Sequence, residues 1–107
     1  MESSGKQKRR LLMNFEQNVR EINRAVINPV IDTIGLRELE PVMKMVAHAR
    51  ADYLQALFAL AEETEGGSAP SDVTALRSAR EHCDELIEAV SSLETMIERG
   101  YIDVSDS

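Results

Sequence analysis

The first apolar positions to recur along the chain are Leu12, Phe15, Val19, Ile22 and Val26, at intervals of 3, 4, 3 and 4, with Glu16, Asn18, Arg20, Asn23 and Arg24 between them. Side chains so spaced share one side of an α-helix, which predicts a first helix over about residues 8–27. Asn28-Pro29 interrupts the pattern, because proline lacks a backbone donor and disfavours helical geometry at the residue before it. Two outcomes stand level here. The first helix kinks and continues, or it ends near Ile27 and a short helix over about 29–34 follows, capped by Asn28 and closed by Gly35.

A second helix is expected over about 37–63. Met43, Val46, Tyr53, Leu57 and Leu60 form its stripe, and Val42, Leu54, Phe58 and Ala61 widen it. So broad an apolar face suits a central helix touched from two sides. Pro41 is tolerated near the start of this helix, and Glu38 and Glu40 complement the positive end of its dipole. At the other end Glu62, Glu63 and Glu65 crowd the negative pole, and Gly66-Gly67-Ser68-Ala69-Pro70 cannot propagate a helix, so a mobile linker is expected over 64–71.

Ser71 or Asp72 then caps a third helix, about 72–99. Its Leu76, Ala79, Cys83, Leu86, Val90, Leu93 and Ile97 alternate intervals of 3 and 4 over three heptads, the clearest pattern in the chain. Arg99 followed by Gly100 has the composition of a glycine C-cap. Beyond it, Tyr101-Ile102-Asp103-Val104 is expected to fold back as an extended tail, with Ser105-Asp106-Ser107 disordered.

No segment alternates with period two between turn dipeptides, and no repeat of 20–50 residues is present. The expected fold is therefore all-α: an antiparallel three-helix unit spanning residues 11–100, preceded by a basic, disordered tail at 1–10 and followed by a tail at 101–107. Aromatic residues make up only 4% of the 107 residues, so little is available to fill a core, while the stripes are long. Association into a larger helical bundle would relieve that shortage, and a homodimer is the favoured form because isologous dimers are the commonest oligomers. The stripes of the first and third helices are then candidates for either interface or core.

Charge sharpens this picture. The chain carries −7 at neutral pH. Lys6, Lys8, Arg9 and Arg10 against Glu2 give the first ten residues +3, leaving −10 for the remainder. An acidic body repels a phosphate backbone, so nucleic acid is expected to bind only through those four basic tail residues, if at all. No apolar run approaches the roughly 18 residues of a membrane span, and KQKRR at 6–10, followed only by LLM, does not read as a secretion leader. With a single cysteine, which excludes an intrachain disulfide, the reading is a cytoplasmic chain without membrane contact.

The candidate chemistry is sparse. His48 and His82 are the only histidines, and Met45 and Ala79 stand where a Glu-x-x-His motif would need glutamate, so no metal site is expected. His48 and Asp52 share one side of a helix and could form an acid–base pair or half of a metal site shared between chains, but a solvated pair is the favoured reading. Cys83 lies within the third stripe, and His82 points about 100° away from it, which describes an inert core thiol. Arg50 stands where the second stripe would place a hydrophobe; it either fixes register across an interface or snorkels. Met43 and Met45, with Met13 and Met96 elsewhere, read as core filling more readily than as an adaptable binding surface. No phosphate loop, nucleophile elbow or dinucleotide fingerprint is present. Catalytic residues, metal ligands and cofactors are accordingly not expected.

The plan, a short acidic helical hairpin with an additional amphipathic helix, resembles that of small bacterial adaptors and secretion-type chaperones. The resemblance is architectural and implies no activity. The leading expectation is a non-catalytic protein-interaction or adaptor domain that self-associates and offers an acidic surface to another protein. The alternatives are a regulator that places its basic tail on nucleic acid from an acidic dimerisation body, and a ligand-binding or enzymatic bundle centred on His48 and Asp52.

Overall fold

A computed structural model describes residues 4–64 and 72–106. Within them the chain is all-helical: α1 spans Ser4–Ile27, α2 Leu36–Thr64 and α3 Thr74–Glu98. Two compact units divide the chain, one formed by residues 4–35 with 94–106, the other by the described part of 36–93.

In the second unit α2 packs against α3. The nine residues between Thr64 and Thr74 span at most about 32 Å, whereas returning to the start of α2 would require about 43 Å, so the pair runs antiparallel. Ala49 and Cys83, each 3% exposed, are the buried residues of this pair. Both are small, which lets the helices approach closely. Half-buried residues extend the contact along both helices, Val42, Val46, Tyr53 and Leu60 from α2 and Leu76, Leu86, Val90 and Leu93 from α3. Asp72 caps α3 as its sequence suggested, its carboxylate accepting the Thr74 backbone N–H at 2.9 Å and the Thr74 hydroxyl at 2.6 Å. These bonds, the hydroxyl first, hold the Asp72 carboxyl below its ordinary pKa. The expected linker at 64–71 lies outside the described residues apart from Thr64, which ends α2.

The first unit is closed by the C-terminal tail. Gly100, with φ of 76°, ends α3 in the left-handed conformation. Its N–H donates to the Ile97 carbonyl and the Tyr101 N–H donates to that of Met96, both at 3.0 Å, which is a Schellman cap. The chain then turns extended. Ile34 N–H donates to the Asp103 carbonyl and Ser105 N–H to the Ile34 carbonyl, making a single parallel bridge between Ile34 and Val104. Ile34, Tyr101 and Ile102 are buried around it. The Arg24 guanidinium fastens the clasp, donating to the Gly100 carbonyl at 2.6 Å and to Asp103 Oδ1 at 2.9 Å. Arg24, followed by Asn28, holds the Asp103 carboxyl below its usual range.

Two expectations are corrected. No short helix forms over 29–34: α1 ends at Ile27, residues 28–30 turn, and Ile34 bonds to the tail. The tail satisfies both backbone groups of Ile34 and buries its side chain, a tertiary gain that outweighs a short helix's weak local preference. Residues 4–10, assigned to a disordered tail, are instead the first turns of α1. Lys, Gln, Arg, Leu and Met are good helix formers, and their summed propensity outweighs the cost of basic groups at the positive end of the dipole.

Candidate protein-interaction surfaces

The three stripes meet different fates. That of α3 is covered, with Cys83 buried and Leu76, Leu86, Val90, Leu93 and Ile97 half-buried. That of α1 is open. Leu12 is 60% exposed and Phe15 62%, Ile22 and Val26 are equally open, and Leu11 adds a further exposed position. Only Val19 of the five predicted residues is half-buried, together with Asn23 and Ile27 on the flank of α1.

Helix α2 carries two apolar faces. The first, centred on Ala49, is the face that meets α3. The second, turned about 140° from it, bears Leu36, Met43, Leu54 and Phe58, with Leu57 between the two; all five are exposed, Phe58 at 65%. Arg50 falls on this open face and is exposed. Large apolar side chains clustered on one helix face, unlike scattered ones, mark an interaction surface.

Beside the α1 stripe is an open cavity of about 300 Å³ lined by Phe15, Glu16, Val19, Arg20, Arg99 and Tyr101. A shallower one of about 470 Å³ is lined by Arg20, Arg24, Asn28, Pro29, Arg99 and Gly100 among others. Guanidinium groups dominate both rims, so the potential there favours acidic groups. The buried Tyr101 hydroxyl makes no hydrogen bond of normal geometry, although Asn23, and after it Arg99, lie near enough to draw its pKa below the usual phenol value.

The remaining candidates are dispersed. His48 and Asp52 are exposed on α2, as is His82 on α3 beside the buried Cys83. No group of three or more metal-ligating side chains gathers among the described residues. Lys6, Lys8, Arg9 and Arg10 project from the first turns of α1, all exposed. No described helix is long and apolar enough to cross a membrane. Sequence reasoning missed the Arg24 clasp; its signal was a basic residue in the last turn of α1 and an Asp three residues past the C-cap glycine.

No family model matches the chain, and no curated protein or solved structure matches it.

Proposed function

We propose that this chain is a non-catalytic helical interaction domain that acts by self-association and offers the acidic surface of α2 and α3 to protein partners. The observation that carries the reading is the α1 stripe, a regular helical apolar face left some three-fifths exposed. Leaving such a face in water forgoes roughly 1–2 kcal/mol for each large side chain that a partner would cover. The test is sedimentation equilibrium across a hundredfold concentration range, comparing wild type with Leu12→Asp/Ile22→Asp. The expected result is a wild-type mass near twice 11.9 kDa and a folded variant at the single-chain mass. A wild type at single-chain mass throughout overturns the reading.

A further inference from the structure

We propose that the first unit binds the C-terminal residue of a partner polypeptide, its carboxylate held by Arg20 and Arg99 and its apolar side chain laid on Phe15 and Val19. This goes beyond self-association and does not rest on it. Arg20 and Arg99 line both cavities of the unit, so their side chains form the boundary at which the two meet. Arg24, the third guanidinium nearby, is committed to Asp103 and the Gly100 carbonyl. Among the described residues, by contrast, Arg20 and Arg99 have no carboxylate within ion-pair distance. An arginine fork meets a carboxylate in two parallel hydrogen bonds, and here two such forks are unspent. Their footing is firm, because Arg99 sits within the Schellman cap that fixes Gly100 and Tyr101, and Tyr101 is only 5% exposed.

Charge narrows the choice of anion. Glu16 on the wall of the deeper cavity offsets one of the two unpaired cations, and Glu21 on the shallower one offsets the other. A phosphate dianion therefore meets no net positive field, whereas a singly charged carboxylate asks less of the site. The apolar wall narrows the carrier. Phe15 and Val19 share the deeper cavity with both guanidiniums. A chain-terminal carboxylate hangs on the same Cα as its residue's side chain, so both groups reach this cavity together; in aspartate or glutamate the side chain is itself the carboxylate and brings no apolar group. About 300 Å³ takes one large residue, and the shallower cavity of about 470 Å³ gives the preceding residues a path past Asn28 and Pro29. A free small acid would use one cavity and leave the other empty, and neither is closed enough to cover it as small-ligand sites do.

Amide NMR of the full chain tests the site, with Gly-Ser-Gly-Ser-Leu bearing a free carboxylate as the probe. The expected result is saturable shifts centred on Val19, Arg20 and residues 99–101, with a dissociation constant below about 1 mM; no shift at that concentration overturns the proposal. The same peptide as its C-terminal amide is expected to bind at least about tenfold more weakly, as is the free-acid probe to Arg20→Gln/Arg99→Gln, because each change removes the charge-assisted bonds. Both arginines are exposed, so helicity by circular dichroism is expected to persist in that variant. Arg9→Gln/Arg10→Gln removes the same charge from the first turns of α1 and is expected to leave binding unchanged; equal weakening there reduces the effect to general charge and overturns the site. Three further probes can overturn it by matching the affinity of the first: Gly-Ser-Gly-Leu-Glu amide would assign the site to acidic side chains, N-acetylleucine to a free small acid, and inorganic phosphate to any anion. Leu12 and Ile22 line neither cavity, so Leu12→Asp/Ile22→Asp is expected to bind the probe as wild type does. Failure of the probe thus leaves self-association standing, and failure of self-association leaves the site.

Discussion

Helices α1 and α3 carry nearly the same pattern, apolar residues at alternating intervals of 3 and 4, yet Cys83 is buried at the centre of one stripe while Phe15 stands open on the other. The difference shows what periodicity encodes. A stripe states that a helix has a face to cover, and it is silent about what covers it. For α3 the answer is α2, joined to it by a connection too short for any arrangement but an antiparallel one. For α1, the elements of its own unit cover only the flank at Val19, Asn23 and Ile27.

The comparison breaks most sharply at its two centres. Cys83→Asp places an unpaired carboxylate in the α2–α3 contact and is expected to cost about 3–5 kcal/mol, enough to lower or abolish the cooperative melt followed by circular dichroism. Leu12→Asp, the equivalent insult on α1, is expected to leave helicity intact and change only the mass. If the two variants melt alike, the α1 stripe is core and the contrast between the stripes fails.

A smaller effect is expected at the α3 terminus. Gly100 holds φ at 76° with open space where a Cβ would stand, so Gly100→Ala meets strain without a clash. The expected loss is about 1–2 kcal/mol, seen as a lower melting temperature and faster amide exchange at Tyr101 and Ile102.

Acid acts on the clasp and on the cap of α3. The Asp103 and Asp72 carboxyls are held below their ordinary pKa by hydrogen bonding in the folded chain. Groups so shifted contribute stability that is fully present above the unfolded carboxylate value and is lost as pH falls through the lowered folded one. Melting temperature is therefore expected to fall on acidification below about pH 4, and the Asp103→Asn/Asp72→Asn variant should show a shallower fall. An unchanged slope would mean that neither bond matters to folding. The smallest effect belongs to His48→Ala, exposed on α2, where stability is expected to stay within about 0.5 kcal/mol; a larger loss would reveal a contact of His48 that the fold does not account for.

Much of the fold was legible in the residues. The Asn28-Pro29 break, the Asp72 cap and the Gly100 terminus all act within a few positions of themselves, so α1 ends at Ile27 and α3 at Glu98, within a residue of expectation. The tail's return at Tyr101-Ile102 was legible too, because two large apolar residues after a helix stop demand cover. The failures share one cause. Ile34 read as helical because its neighbours permit a helix, yet its hydrogen bonds go to Asp103 and Ser105, some seventy residues away in the chain. No local pattern announces a partner at that distance. The candidate surfaces follow the same division: both stripes could be written down from the sequence, and which of them would lie open could not.

The sequence alone determined three helices, the C-terminal ends of α1 and α3, the cap of α3, the faces that must avoid water, and a basic amino-terminal segment ahead of an acidic remainder. These follow from backbone hydrogen bonding, helical period and charge, all of short range. The tertiary structure decided that the α3 stripe is spent inside the chain, that α2 is covered on one face and open on the other, and that Arg24 clasps the tail. Those outcomes depend on which distant surfaces meet, and burial is a property of the pair that meets rather than of either segment alone.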